Sequence, residues 1–259
     1  MQDFEDQVQA RSERLKEKIG NIKYKIAVMS GKGGVGKTTV AVNIACMLAK
    51  RGNKVGILDA DIDCPNVANI IGVEEKFKEG DNGLVPPEKY GVKISSMSFF
   101  DAEGPAMWRG PLIHSAIMQL LELTEWGPLD YLIIDMPPGT SDASLTVMQF
   151  VGIDAVVVVT TSQELSMMDA TKSAKMAMGF YKPIGVVENM SSEVFGSGGG
   201  ETIAYELSLP FLGRIELSKQ MRECCDRGLP AVINNVNTRN FELIINNMEK
   251  HLLDKNLSG

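Results

Sequence analysis

The sequence predicts an α/β protein with a single doubly wound, mostly parallel β-sheet and helices on both faces. Two observations support this fold class: short, near-continuously apolar runs recur along the chain, and longer segments with helical periodicity separate them. Strands that are covered on both faces have apolar runs of this kind instead of strict alternation. Because strand and helix patterns alternate over the whole length, one domain is expected.

The elements follow in chain order. Predicted strands span residues 25–30, 54–60, 92–99, 130–136, 155–161, 184–190 and 211–215. Helical patterns fill the gaps, and the clearest lie at residues 38–51, 112–125 and 163–180. The segment 74–91 is rich in Gly, Pro and charge, so it is predicted to run over the surface. Residues 1–23 are predicted to form a charged helical arm outside the sheet, which leaves 24–259 as the main domain.

The C-terminal stretch "RNFELIINNMEKHLLDK" has the pattern of an amphipathic helix. Its apolar side carries Phe241, Ile244, Ile245, Met248 and Leu252. A membrane-surface helix is one interpretation of this pattern. The polar side mixes both signs of charge instead of being basic, which favours packing against the core.

Composition narrows the classes of function. The formal net charge of -7 over 259 residues argues against a nucleic-acid footprint spread over the whole surface, although a local basic patch stays possible. No apolar run approaches the roughly 20 residues that span a bilayer, and the N-terminal stretch is too polar for a signal peptide. We therefore expect a cytoplasmic protein without nucleic-acid or membrane partners.

Four cysteines occur, at Cys46, Cys64, Cys224 and Cys225. A chain of this size without an export signal is not expected to use them as a disulfide framework. Cys46 lies in the apolar run "VNIACMLA" and is predicted to be a small buried core residue.

The stretch "SGKGGVGKTT" satisfies the phosphate-binding pattern G-x-x-x-x-G-K-[ST] and lies between a predicted strand and a predicted helix. Glycines let successive N–H groups turn toward phosphates, and the helix N-terminus adds partial positive charge. Lys37 is expected to reach the β- and γ-phosphates, and the Thr38 hydroxyl to ligate Mg²⁺. The predicted nucleotide contacts in this loop are Gly31, Lys32, Gly33, Gly34, Val35, Gly36, Lys37, Thr38 and Thr39.

Carboxylates follow two other predicted strands. In "LIIDMPPG", Asp135 ends a buried strand, where a Walker-B carboxylate contacts the metal; the alternative is an aspartate that caps the next turn. In "ILDADIDCPN", Asp59 and Asp61 alternate with Ala60 and so would point to one side of an extended strand. Carboxyl ends of strands line the ligand crevice of such sheets. One of this pair can support the Mg²⁺ shell while the other orients the attacking water.

The loop carries a second lysine, Lys32, and "KGGVGKTT" resembles the deviant Walker A loop of the MinD/ParA class of P-loop ATPases. Within that class the sequence is most similar to the Mrp/ApbC family of iron–sulfur cluster carrier ATPases, over residues 24–217. The resemblance rests on the stretches "GILDADIDCPNV", "MWRGPLI", "LDYLIIDMPPGTSDASLTV", "VTTSQELSMMDATK", "VVENMS" and "FGSGGGE".

The resemblance implies a homodimer that binds ATP and Mg²⁺ between its subunits. Lys32 matches the lysine that crosses to the partner's nucleotide and stabilises transition-state charge; from the residues alone, a solvated loop lysine is the alternative. Asp61 matches the water-activating aspartate, and Asn189 matches a residue that reads adenine. Lys32, Lys37 and Asp61 are therefore the predicted catalytic residues, with Thr38, Asp59 and Asp135 around Mg²⁺.

One departure from the family pattern concerns the cluster itself. The carriers have a C-x-x-C between "ENMS" and "FGSGGGE", whereas this chain runs straight through with Ser191, Ser192, Glu193 and Val194. A [4Fe–4S] cluster normally takes four thiolates, and this loop supplies none. Cys64 can offer two per dimer and is the candidate ligand, although a purely steric role is equally open; the Cys224–Cys225 pair can add more.

The leading hypothesis is a homodimeric, Mg²⁺-dependent ATPase that acts in iron–sulfur cluster or metal-cofactor assembly or transfer. Its hydrolysis is expected to be slow without a partner, which would be an apo-protein or a cluster scaffold. The alternative is a positioning or regulatory switch of the MinD/ParA kind with no metal cargo. A metabolic kinase is disfavoured because no second substrate-binding constellation stands out.

Overall fold

The computed structural model describes residue 15, residues 18–100 and residues 110–254 of the chain. Its centre is an eight-stranded sheet with the order β10-β9-β8-β1-β7-β2-β6-β5. Every neighbouring pair is parallel except β5 with β6, which is antiparallel, and β3 and β4 form a separate antiparallel pair. The strands are β1 Ile22–Ser30, β2 Val55–Asp59, β3 Lys78–Glu79, β4 Leu84–Val85, β5 Glu88–Lys89, β6 Val92–Ser95, β7 Leu129–Asp135, β8 Ala155–Thr160, β9 Ile184–Ser191 and β10 Phe211–Glu216.

Helices cover both faces of this sheet. Alternate residues of β1 belong to two different apolar clusters, Ile26 and Val28 to one and Ala27 and Met29 to the other. The predicted doubly wound α/β class is therefore confirmed. The helices are α1 Lys37–Lys50, α2 Val67–Ile71, α3 Gly110–Leu123, α4 Asp142–Phe150, α5 Glu164–Met178, α6 Gly199–Glu206, α7 Lys219–Asp226 and α8 Thr238–Met248, with a 3-10 turn at Met97–Phe99 and a π-helical turn at Glu249–Leu253.

Each of the seven predicted strands overlaps an observed strand, but the prediction for 92–99 was too long. The strand ends at Ser95, and the Ser96 side chain accepts a hydrogen bond from Ser98 N to cap the 3-10 turn. This local competition between a serine hydroxyl and the strand explains the difference. The segment 74–91 is mostly exposed, as predicted, and also contains three two-residue strands.

The C-terminal helix packs on the core, as its mixed polar face predicted. Phe241, Ile244, Ile245 and Met248 are fully buried, and Leu252 is nearly so. Cys46 is fully buried in α1, which confirms its predicted place in the core. Within the part of the chain that the structure describes, no helix has the length and apolar character needed to cross a membrane.

Most of the predicted N-terminal arm lies outside the described residues. The described part includes Leu15 and Ile19, which are buried in the cluster that covers one face of the sheet. The first strand begins at Ile22, two residues before the predicted boundary between arm and domain. That boundary remains a prediction.

The strand register brings the predicted site together. Val28 of β1 pairs with Asp135 of β7, and Asp59 of β2 pairs with the same Asp135. The carboxyl ends of three adjacent parallel strands thus meet at one edge of the sheet, where doubly wound folds bind their ligands. The loop between β1 and α1 rises from this edge.

Candidate nucleotide-binding site

The loop between β1 and α1 depends on glycine at two positions in particular. A Cβ atom on Gly31 would collide with the backbone of Asp169 and Ala170 in α5, so only glycine allows this close approach. Gly36 has a φ of 80° and precedes the first residue of α1, and a Cβ there would collide with the Asn189 side chain. The loop therefore enters the helix in a left-handed conformation that glycine adopts without strain.

Lys37 and Thr38, the first residues of α1, both contact Asp135 at the end of β7. Lys37 Nζ lies 2.6 Å from Asp135 Oδ1, and the Thr38 hydroxyl donates to Asp135 Oδ2 at 2.7 Å. Lys37 is 6% exposed and Asp135 is fully buried, so this charge pair lies largely outside bulk water. The three residues that the phosphate-loop and strand-end arguments identified separately form one connected group.

The residues around Asp135 fit a magnesium ion. The hydroxyl of Thr38 and the carboxylate of Asp135 are hard oxygen donors, which Mg²⁺ prefers. They lie at the start of α1, where phosphates are expected, and Mg²⁺ is commonly held jointly by protein oxygens and substrate phosphates. Thr38 and Asp135 are the residues that would hold the ion, and this assignment remains a prediction.

Asp59 lies beside Asp135 on the neighbouring strand. Its two carboxylate oxygens accept hydrogen bonds from three donors: Asp61 N at 3.3 Å, Val67 N at 3.1 Å and the Ser96 hydroxyl at 3.3 Å. These contacts hold the segment between β2 and α2 in place. A carboxylate has about four acceptor positions, so these contacts leave room for a further partner, and the role of Asp59 near Mg²⁺ remains a prediction.

Asp61 lines the same cavity as the phosphate-binding loop. This cavity has a volume of about 660 Å³, and its lining includes Lys32, Gly33, Gly34, Gly36, Lys37, Thr38, Thr39, Asp61, Cys64, Pro137 and Pro138. Asp61 is half-buried, and burial raises its pKa while the positive charge of Lys37 opposes the rise. Lys32 also lines the cavity and is half-buried, and its carbonyl accepts a hydrogen bond from the Ser30 hydroxyl at 3.0 Å. The cavity thus brings together the three predicted catalytic residues.

Asn189 contacts the loop from β9. Its side-chain amide Nδ2 donates to the carbonyl of Val35 at 2.8 Å, and the residue is only 5% exposed. The sequence-based prediction that Asn189 reads adenine remains a prediction. Through this hydrogen bond, Asn189 holds the peptide group of Val35, immediately before Gly36.

The cysteines do not gather into one site. Cys64 is exposed at the cavity, Cys224 is buried in α7, and Cys225 is half-buried. Among the residues that the structure describes, no group of three or more His, Cys, Asp or Glu side chains is placed to hold a metal ion. Cys64 is thus the accessible thiol at the mouth of the nucleotide cavity.

Sequence reasoning missed two neighbours of the site. Cys225 Sγ lies 3.7 Å from the hydroxyl of Thr39, the last residue of the phosphate-binding stretch. Burial raises the pKa of the Cys225 thiol, which favours its neutral form. The second is Ser96, which donates to Asp59. Only the folded chain brings Cys225 to Thr39, whereas Ser96, a serine inside the predicted strand 92–99, was a usable signal that the strand ends early.

The loop after β9 is anchored by a buried carboxylate. Glu188 is fully buried and accepts hydrogen bonds from the backbone N–H groups of Gly198 and Gly200, at 3.0 Å and 2.8 Å, and from Arg214 Nε at 3.1 Å. Arg214 continues the network to Glu201 at 2.9 Å. The segment 192–198, where the resemblance to the cluster carriers implies a C-x-x-C, is therefore fixed at its far end.

The acid pair at the strand ends predicts a pH dependence of stability. Burial raises the pKa of Asp59 to about 7, and the charge of Asp135 adds to the rise. The unfolded-state pKa is about 3.9. Between those values the folded chain binds more protons than the unfolded chain, so this group makes the free energy of unfolding fall as pH rises from about 4 to about 7.

Asp59→Asn should remove that contribution and flatten the pH dependence by about 2–4 kcal/mol between pH 4.5 and 7.5. Urea unfolding of both proteins at several pH values measures it. Asp63→Asn changes an exposed carboxylate in the same loop and should follow the wild type. Equal slopes for wild type and Asp59→Asn would contradict the raised pKa.

Comparison with known sequences agrees with this geometry. The ParA family profile, described as NUBPL iron-transfer P-loop NTPase, matches residues 21–252. The iron-sulfur cluster carrier protein of Pyrococcus horikoshii is 46% identical over 245 residues, covering 85% of this chain and 83% of that protein. The protein of the same name from Methanocaldococcus jannaschii is 45% identical over 236 residues, covering 85% and 81%.

Solved structures show the same fold. A nucleotide-binding protein from Archaeoglobus fulgidus, in complex with ADP, has a TM-score of 0.74 and 38% identity, and covers 84% of this chain and 91% of that one. The cell division ATPase MinD of Pyrococcus furiosus has a TM-score of 0.69 at 21% identity over 88% and 99%, which supports the fold alone. With the profile spanning most of its length, the chain belongs to the ParA family of iron-transfer P-loop NTPases.

Proposed function

We propose that this protein is a Mg²⁺-dependent ATPase that acts, as a homodimer, in the assembly or transfer of iron–sulfur clusters. The observation that carries the proposal is that Lys32, Lys37, Thr38 and Asp61 line one cavity at the carboxyl edge of the sheet. Relatives that are 41–46% identical and bear the name iron-sulfur cluster carrier protein support the choice of cargo. A cytoplasmic location is part of the proposal.

The chain's own groups supply most of what ATP hydrolysis requires. Backbone N–H groups of the loop and the N-terminus of α1 bind the phosphates. Lys37 offsets their negative charge, and Asp61 orients a water molecule toward the γ-phosphorus. When bound, Mg²⁺ would be held by Thr38 and Asp135 and would neutralise the negative charge that develops on the phosphates. Water adds to the γ-phosphoryl group as the bond to ADP breaks, so the products are ADP and inorganic phosphate.

Lys32 is assigned to the nucleotide of the second subunit. This assignment is supported by the exposure of Gly33 and Gly34, which follow Lys32 in the cavity lining, so the loop borders solvent at this point. A lysine delivered across an interface acts on charge only in the closed dimer. Hydrolysis is then slow in isolated subunits, and a partner that favours closure raises the rate.

A second candidate function is a positioning or regulatory switch without metal cargo. The sequence between Ser191 and Gly198 contains no cysteine, and it is this observation that favours the switch. The two functions share the ATPase cycle and differ in whether iron is carried. Iron content of the protein purified without air, measured beside ATP turnover, separates them.

We expect that the isolated protein does not retain a bridging [4Fe–4S] cluster. Such a cluster takes four thiolates, and the accessible Cys64 supplies two per dimer. After anaerobic reconstitution with iron and sulfide, followed by desalting, the iron content should be well below the roughly four atoms per dimer of one complete cluster. Visible absorbance gives an independent measure of the cluster.

Cys64→Ser and the double variant Cys224→Ser/Cys225→Ser are the matched controls for that experiment. A stable cluster that survives desalting in the wild type would contradict the expectation, and these variants would then identify the sulfur ligands. Iron retained only when a cluster scaffold or target protein is present supports the transfer function. ATP turnover without iron under either condition favours the switch.

A further inference from the structure

The inner face of α7 carries sulfur atoms where an amphipathic helix usually has aliphatic side chains. The helix has the sequence "KQMRECCD". Met221 and Cys224 are 7% and 4% exposed, and Cys225 is half-buried. The charged residues of the helix lie on its outer face and form two ion pairs, Lys219–Glu223 and Arg222–Asp226. Charge and sulfur are thus separated onto opposite sides of a two-turn helix.

The spacing of the three sulfur-bearing residues brings them within reach of one another. Met221 comes three residues before Cys224 and four before Cys225. Side chains at those separations are neighbours on a helix, with Cβ atoms about 5–6 Å apart. Two thiols and a thioether that close together can bind one ion between them, and such ligands suit soft metal ions.

Two of the sulfur atoms have amide donors beside them, from the turn that follows α7. Asn234 Nδ2 donates to Cys224 Sγ at 3.4 Å, and Asn237 Nδ2 donates to Met221 Sδ at 3.9 Å. Sulfur that only fills a gap in a core packs against apolar groups. Donors beside a thiolate stabilise its negative charge instead, and the thiolate is the form of cysteine that binds a metal.

The third sulfur atom faces the helix that follows the phosphate-binding loop. Cys225 Sγ lies 3.7 Å from the hydroxyl of Thr39 in α1. The fully buried Asn43 of the same helix donates to the Thr39 carbonyl at 2.8 Å and accepts from Val232 N at 3.0 Å. Helix α1 and the turn after α7 therefore form one connected wall, and the sulfur face of α7 lies against it.

The number of available ligands favours one metal over others. A structural zinc site normally takes four protein ligands. Within the described part of the chain, no third His, Cys, Asp or Glu joins Cys224 and Cys225 in a group that could hold a metal ion. The thioether of Met221 then completes a set of three soft ligands, and thiolate and thioether ligands select Cu(I).

We propose that Met221, Cys224 and Cys225 form a three-sulfur site for one cuprous ion, separate from the nucleotide cavity and from any iron–sulfur cargo. Both thiols lose their protons to solvent as the ion binds, and no electron is transferred. Burial raises the pKa of the free Cys225 thiol, but the charge of a bound metal ion reverses this, because a coordinating thiol is deprotonated. The site requires neither a nucleotide nor a second subunit.

The experiment measures whether the protein holds Cu(I) against a chelator. The reduced protein is titrated with Cu(I) without air or nucleotide, in competition with bathocuproine disulfonate, whose coloured copper complex reports the copper that the protein does not hold. The wild type should retain one Cu(I) per chain. Cys225→Ser should lower the affinity by a factor of about 100 or more, since loss of even an outer partner of a metal ligand costs about 10–100-fold.

Two further variants assign the ligands. Met221→Leu removes the thioether and keeps the apolar volume, so it should lower the affinity by a factor of about 10 while the fold is retained. Cys64→Ser removes the exposed thiol at the nucleotide cavity and should retain copper as the wild type does. Circular dichroism verifies that each variant is folded.

X-ray absorption at the copper edge gives an independent test on the wild type, which applies even if a variant does not fold. It should show a shell of three sulfur atoms around copper, without nitrogen or oxygen. The proposal would be overturned by a wild-type protein that gives up all its copper to the chelator, or by a copper shell with fewer than three sulfur atoms. Copper retention that Cys64→Ser abolishes, or that folded Cys225→Ser leaves intact, would also overturn it.

Discussion

Replacing Lys32 with alanine should leave ATP affinity within about threefold and lower kcat by a factor of about 100 or more. Lys32 is half-buried and lines the cavity, but its proposed role is toward the partner's nucleotide, so the ATP affinity of its own subunit should change little. Its proposed contact stabilises charge on the partner's nucleotide only in the transition state, and such contacts change kcat without changing ground-state binding. Calorimetry and steady-state kinetics give the two quantities.

Mixing variants tests whether Lys32 acts across a dimer. Lys32→Ala and Asp61→Asn are each expected to be nearly inactive alone. In a heterodimer, the Asp61→Asn subunit provides an intact lysine to the nucleotide of the Lys32→Ala subunit, which keeps its own Asp61. One functional site is restored, so activity should rise toward half of the wild-type value per dimer. Heterodimers that demonstrably form and remain inactive would rule out a crossing lysine, and Lys23→Ala is the charge-matched control.

The second large effect concerns the binding of ATP. Lys37→Ala should weaken ATP binding by a factor of about 100 or more, since the positive charge that faces the β- and γ-phosphates is lost. Calorimetric titration with ATP and with ADP measures the change. Unchanged ATP affinity in a folded variant would contradict the phosphate-loop assignment.

The structure also predicts that Lys37→Ala lowers the stability of the fold, which the motif alone does not reveal. Lys37 is the counter-ion of the fully buried Asp135. Removing one partner of a buried ion pair typically destabilises a protein by about 3–5 kcal/mol. Thermal unfolding should therefore accompany the titration, and Lys37→Ala/Asp135→Asn should recover part of the lost stability without recovering ATP binding.

The fold was largely predictable because its strands are buried on both faces. Runs such as "AVVVVT" of β8 have no polar residue to interrupt them, and all six residues are buried. The prediction was wrong where a side chain competes with the backbone: "VKISSMSF" continues as an extended pattern, but Ser96 ends the strand by capping a turn and donating to Asp59. Periodicity carries no information about such a hydrogen bond.

The candidate site was predicted from motifs to the level of residues but not of contacts. The phosphate-loop pattern and the strand-end carboxylates each predicted a set of residues from local sequence, and the structure places Lys37, Thr38 and Asp135 in contact. The ion pair between Lys37 and Asp135 joins positions 98 residues apart, and the contact between Thr39 and Cys225 joins positions 186 apart. The order of strands in the sheet brings these residues together. No single stretch of sequence encodes that order.

Because residues 192–198 are anchored at both ends, a loop of a different length can replace this segment. Ser191 ends β9 in register with β10, and Glu188 holds Gly198 and Gly200 at the start of α6, so both ends of the segment are fixed by the sheet. Lengthening a loop between fixed ends costs little free energy, since the closure entropy grows only with the logarithm of its length. An insertion between Ser192 and Gly198 that carries two cysteines can therefore be grafted onto this frame as a module, with the nucleotide cavity and the sheet left as they are.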